Sequence, residues 1–107
     1  MPQVTVLPDP LLEGAARMFS LLGDGTRLRL VRELYEEGEL PVGELAARTG
    51  LTVANVSQHL GRLAEGGLVA RRRDGRHVLY RIGDDRLAQL CDIVCASVRE
   101  RAERLLS

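Results

Sequence analysis

The sequence predicts a mainly α fold, five helices with a small β-hairpin between the fourth and the fifth, and three observations lead there. Apolar residues recur at helical spacing in five runs, bounded by Gly, Pro, Asp or Thr at their ends. One stretch, 68–82, has instead two β-favouring runs around Asp74-Gly75, the pair that two-residue hairpin turns favour. Finally, 107 residues with 45% hydrophobic but only 3% aromatic content make one compact domain whose core is built from Leu, Val and Ala.

In chain order, residues 1–9 hold two of the four prolines and read as a flexible N-terminal arm, so the domain is expected over residues 10–107. Pro10 suits a first helical turn, and Leu11, Leu12, Ala15, Met18, Phe19 and Leu22 form the apolar face that follows. Asp24 is the next N-cap candidate, opening a helix to Glu37 with Leu28, Val31, Leu34 and Tyr35 expected inward and Gly38 as its stop. Pro41 to Gly50 makes a short third helix with a stripe of Val42, Leu45 and Ala46, and Gly50 suits a left-handed C-terminal position. Thr52 caps the fourth helix through the free amide of Asn55. Val53, Val56, Leu60 and Leu63 mark its core side, and Ala54, Asn55, Ser57, Gln58 and Arg62 its outer side. In the hairpin, Val78, Tyr80 and Ile82 alternate toward one face. The last helix opens at Asp84 or Asp85, whose charge suits the helix dipole, and runs to about Leu106.

A short helix, a tight turn with Gly and a second helix form a helix-turn-helix. Small hydrogen-bonding side chains such as Asn55, Ser57 and Gln58 approach base edges in a major groove, and the Thr52 end of the helix receives phosphate well. The hairpin carries Arg71, Arg72, Arg73, Arg76 and Arg81 against Asp74 alone, a local charge of +4. Attached to a helix-turn-helix such a basic tip is a wing, and its arginine forks grip the phosphate backbone. The candidate DNA-binding residues are therefore Thr52, Asn55, Ser57, Gln58, Arg62, Arg72, Arg73, Arg76 and His77. The blander counterpart is a helical hairpin and a solvated charged loop that touch nothing.

Net charge is zero, which argues against a protein that coats nucleic acid indiscriminately. All 15 basic residues are Arg, a trace of base composition in the source genome. No run spans a membrane and no signal-peptide pattern appears, so a cytoplasmic location is expected. In the last helix Leu87, Leu90, Cys91, Val94, Val98, Ala102 and Leu105 trace an apolar stripe too long for one neighbour to cover. A dimer through the terminal helices follows, with two reading helices about 34 Å apart over an inverted repeat of double-stranded DNA.

The ordered set Leu22-Gly-Asp-Gly-Thr-Arg-Leu-Arg-Leu30, Gly38-Glu-Leu-Pro-Val-Gly-Glu-Leu-Ala46, Val56-Ser-Gln-His-Leu60, Gly67-Leu-Val69 and Asp74-Gly-Arg-His-Val-Leu-Tyr80 resembles the ArsR/SmtB family of small bacterial winged helix-turn-helix repressors, over about residues 11–100. The resemblance implies a homodimer bound to an operator until an inducer weakens the grip. Three departures bear on mechanism. Where many members carry a Cys-Val-Cys pair for thiophilic metals, this chain has Pro41, Val42 and Gly43. Where others hold zinc or nickel between last helices, the matching positions are Asp84, Arg86, Ser97 and Glu100, with both imidazoles missing. Gly25 stands where the family commonly has Pro, which loosens the start of the second helix.

Two cysteines, Cys91 and Cys95, remain as a switch. They share one helical face at i and i+4, too parallel for an easy disulfide. Three readings stay open: a thiophilic metal or metalloid ion held by two to four thiolates, oxidative or persulfide modification, or two small buried hydrophobes. No other cofactor is implied. His59, beside Val56, Leu60 and Leu63, reads as a structural histidine. No catalytic constellation appears, and an oxidoreductase is disfavoured because such enzymes place an exposed thiol pair, two residues apart, at a helix start. The competing classes are a winged-helix module that docks a protein and a family member with no metal site and another inducer.

Overall fold

A computed structural model describes residues 8–106 of the chain. Its order is α1 (Asp9–Leu22), α2 (Gly25–Glu37), β1 (Glu39–Pro41), α3 (Val42–Thr49), α4 (Val53–Glu65), β2 (Val69–Asp74), β3 (His77–Ile82) and α5 (Asp85–Leu106). All five expected helices are present within a residue or two of their expected ends. The first seven residues of the expected N-terminal arm lie outside the described ones.

Local chemistry sets the boundaries. The Asp24 carboxylate accepts the Arg27 amide at 2.9 Å and starts α2, while Gly38, at φ 91°, ends it where a Cβ is disfavoured. Gly50, at φ 75°, closes α3 in the left-handed conformation, and the Thr52 hydroxyl accepts the Asn55 amide at 3.1 Å to open α4. These two caps, two residues apart, set the bend between α3 and α4.

The core is aliphatic, as the composition requires. Leu30, Leu34, Leu45, Val56, Leu60 and Leu63 are wholly excluded from solvent, with Leu22, Val31, Leu40, Leu68, Val69, Tyr80 and Leu87 around them. Among the described residues no polar or charged one is buried. The cluster therefore carries no desolvation cost of its own, and each buried Leu contributes about 1.5–3 kcal/mol of transfer free energy.

Four expectations are corrected. Leu28 and Tyr35 do not enter the core but stand half exposed on the side of α2 that faces α5, and Leu30 takes the inward position. Val53 is also half exposed, because the first turn of α4 projects past the layer that Val56 and Leu60 seal. The hairpin turn is Gly75-Arg76 and not Asp74-Gly75: Asp74 still pairs with His77, and Gly75, at φ 62°, is the sole central residue with positive φ. This is the glycine-first arrangement of a two-residue hairpin. The wing is also not a lone hairpin. Glu39–Pro41 forms a third antiparallel strand in the order β1-β3-β2, with Leu40 opposite Tyr80.

The terminal helices stand apart from this core. Of α1 only Leu22 is buried, and of α5 only Leu87 and Ala88. Leu11, Leu12, Phe19, Ile93, Val94 and Val98 are half exposed or more. The stripe expected on α5 is thus present: its start, Leu87 with Leu90 and Cys91, packs on the core, and from Val94 onward it is uncovered within one subunit.

Candidate nucleic-acid interface

The reading helix α4 divides as its periodicity requires. Val56, Leu60 and Leu63 are sealed inside, and Ala54, Asn55, Ser57, Gln58 and Arg62 face solvent. The side chains of Ser57, Gln58 and Arg62 make no hydrogen bond or ion pair with other described residues. Unspent donors and acceptors on one helical face are what base-edge readout demands. The preceding turn is stiff: the Thr49 hydroxyl donates back to the Leu45 carbonyl at 2.7 Å, and Gly50 and the Thr52 cap follow at once.

His59 is half buried, its Nδ1 3.5 Å from the Arg27 guanidinium. Arg27 also donates through Nε to the Leu21 carbonyl at 2.6 Å, which ties the end of α1 to α2 and α4. Sequence reasoning gave Arg27 no role, since its partners lie on a neighbouring helix end and on a histidine 32 positions away.

All residues from Arg71 to His77 are exposed. Strand pairing sorts them by face: Arg71 lies opposite Tyr80 and Arg73 opposite Val78, while Arg72 lies opposite Leu79 on the other face. From there Arg72 reaches across β3 and forks onto Glu39 of β1, with Nε and Nη2 donating at 2.9 and 2.7 Å. The hydrogen bonds from Arg72, helped by the charges of Arg72 and Arg81 and opposed by partial burial, hold the Glu39 carboxyl below its usual range. One candidate phosphate ligand is thus already engaged by a carboxylate. Arg73 and Arg76 at the tip have no partner among the described residues. Glu39 was not singled out from sequence because nothing local links it to Arg72, 33 positions on.

The candidate thiols lie elsewhere, on α5. Cys91 is half buried and Cys95 exposed. Burial, followed by the nearness of Cys95 and Asp92, pushes the Cys91 thiol up. Among the described residues no three Cys, His, Asp or Glu side chains gather into a metal cage, and both histidines sit in the reading head. One chain offers a soft ion two sulfurs and nothing more, so the residues present do not complete a metal centre.

A sealed core, a polar reading helix after a stiff turn and a basic three-stranded wing define a winged helix-turn-helix domain. A helix-turn-helix domain model matches residues 22–72. The chain is 38% identical over 100 residues to the HTH-type transcriptional regulator Rv0081 of Mycobacterium tuberculosis, covering 92% of this chain and 83% of that one. The Rv0081 crystal structure superposes with a TM-score of 0.82 at 32% identity over 94% of this chain and all of that one. The homodimeric winged helix-turn-helix domain Mb0332 of Mycobacterium bovis, a possible ArsR-family regulator, gives 0.80 at 33% identity, covering 94% and 92%. The regulator KmtR of M. tuberculosis is 37% identical over 87 residues, 78% of this chain. The chain belongs to the ArsR/SmtB family of winged helix-turn-helix transcriptional regulators. It spans 66% of the length of KmtR and 59% of a probable mercury resistance operon repressor of Streptomyces lividans. Among the described residues no helix is long and apolar enough to cross a membrane.

Proposed function

We propose that this chain is a sequence-specific DNA-binding repressor without catalytic activity, acting in the cytoplasm as a two-fold homodimer on an inverted-repeat operator. The observation that carries the reading is the coincidence of unspent polar side chains on α4 with partnerless arginines at the wing tip. Asn55, Ser57 and Gln58 read base edges. Thr52 and the start of α4 receive phosphate, as do Arg62, Arg73, Arg76 and His77, and Arg72 joins them when it leaves Glu39. The uncovered apolar faces of α1 and α5 meet their copies, as befits a relative of a homodimeric domain. The signal acts on the thiols of α5, because they are the chain's two soft nucleophiles and lie outside the reading head.

Selection from a random duplex pool, followed by a mobility-shift titration at several salt concentrations, tests this. An enriched inverted repeat is expected. Arg73→Ala with Arg76→Ala weakens binding to all duplexes and flattens the salt slope by about 0.9 per lost phosphate contact. No enriched repeat, together with a stable complex on a protein partner, would put the docking module in its place.

A further inference from the structure

Between α2 and α5 runs an open groove of about 480 Å³ that collects both cysteines of the chain together with Arg29, Arg32 and Arg99. None of these three arginines has a hydrogen-bond or ion-pair partner among the described residues. The groove holds two acids, and one of them, Asp92, already accepts the Tyr35 hydroxyl at 3.2 Å. Three guanidinium groups against the carboxylates of Glu36 and Asp92 leave a formal excess of one positive charge beside the thiols. Leu28, Val31 and Ala88 supply an apolar floor. Arg48 and Arg72, by contrast, are held by carboxylates. These stand open, at the place where a sulfur nucleophile is within reach of solvent.

We infer that the α2–α5 groove is a docking site for small anionic disulfides, whose carboxylates are held by Arg29, Arg32 and Arg99 while Cys95 exchanges with their sulfur. The inference rests on the thiol-signal reading above and names the reagent. The Cys95 thiol loses its proton to water, and its thiolate attacks one sulfur of R–S–S–R. That S–S bond breaks, a Cys95–S–S–R bond forms, and the departing R–S⁻ takes up a proton. Cys95 is oxidised and the released half is reduced, with no further oxidant needed. Cys95 is the attacking residue because it is exposed, whereas Cys91 is half buried and burial pushes its thiol above the usual range. Cys91 resolves the adduct poorly, since side chains at i and i+4 run nearly parallel and a disulfide needs a torsion near 90°. The adduct therefore persists until an outside thiol removes it. Its bulk occupies the space between α5 and α2, the helix against which α3 and α4 pack.

The test follows the rate of adduct formation by mass spectrometry on the reduced full chain, without DNA. Three disulfides serve as probes, each rate divided by that probe's rate with a small free thiol to remove leaving-group differences: oxidised glutathione (anionic), hydroxyethyl disulfide (neutral) and cystamine (cationic). The expected order is anionic, neutral, cationic, with the anionic probe about tenfold ahead of the cationic one, as one excess charge at about 6 Å in water supplies when it attracts the first probe and repels the second. In Arg29→Gln with Arg32→Gln, and to a lesser degree in Arg99→Gln, the order collapses while the neutral rate holds. Cys95→Ser abolishes the fast adduct and Cys91→Ser retains it. Equal rates for all three probes, an order untouched by the arginine variants, or first attachment at Cys91 would overturn the inference. A separate shift assay of the adduct reports on repression, so a chain that ignores DNA still returns an answer on the groove.

Discussion

Replacing Val98 by Glu tests the proposed dimer on the apolar face that α5 leaves open in one subunit. Val98 is 61% exposed in the single subunit and lies on the same helical face as Val94. Covering that surface against a copy removes roughly 90 Å² from water, about 2 kcal/mol at ~25 cal/mol per Å². Two-fold symmetry brings the residue in twice, so the dimer gains about 4 kcal/mol from this position. Val98→Glu forfeits the gain and adds two carboxylates that need solvent, so the dimer dissociation constant rises by about a thousandfold or more, the equivalent of ~4 kcal/mol. Val98→Ala, which keeps the helix and loses two methyl groups per copy, costs roughly a third to a half of that. Sedimentation equilibrium over a wide concentration range measures both, with circular dichroism confirming that the helix remains. A Val98→Glu protein that dimerises as tightly as the parent would show that this face of α5 is not the contact, and the two-fold arrangement over DNA would fall with it.

Three further outcomes are expected. Gly83→Ala places a Cβ 2.9 Å from the Gly67 carbonyl oxygen and 3.2 Å from the Val69 carbonyl carbon, both backbone atoms, so stability falls by about 1–3 kcal/mol; a denaturant midpoint equal to the parent's would refute the close approach. Glu39→Gln frees Arg72, and the salt dependence of DNA binding steepens by about 0.9 if the released fork finds a phosphate; an unchanged slope keeps Arg72 out of the interface. The Asp24 carboxyl is held below the usual carboxylate range, chiefly by the hydrogen bond from the Arg27 amide. Its folded pKa is depressed, so its contribution is complete above the unfolded value and is lost as pH falls through the folded one. Asp24→Asn keeps a cap that does not titrate, so the parent's advantage over it shrinks below about pH 4; a difference constant from pH 7 to pH 2.5 would contradict this.

The helices were legible because each carries its own punctuation: Asp24 and Gly38 around α2, Gly50 and Thr52 at the turn, and the Asp84-Asp85 pair at α5, of which Asp84 accepts the Arg86 amide at 3.0 Å. The face of α4 was legible too, since Val56, Leu60 and Leu63 fix which side is inward and leave Ser57, Gln58 and Arg62 outside. What periodicity could not supply was pairing at a distance. β1 is three residues long and earns its strand only by lying beside β3, so nothing within Glu39–Pro41 announces it. The Arg72 fork depends on that strand and was hidden with it. Leu28 and Tyr35 repeat at i and i+7 like core residues, but the surface they meet is the α2–α5 groove. The hairpin turn slipped by one residue because Gly75 satisfies either class of two-residue turn, and the register of β2 with β3 decides between them.

Arg48 of α3 is held by three carboxylates at once, Glu33 at 3.5 Å and Glu37 at 3.2 Å on α2, and Glu44 at 3.1 Å on its own helix. With Leu34 and Leu45 sealed beneath, α2 and α3 are coupled like two arms of one rocker. α3, and with it the base of the reading head, is thus tied to α2 by ion pairs as well as by packing, and the two helices cannot separate without exposing both.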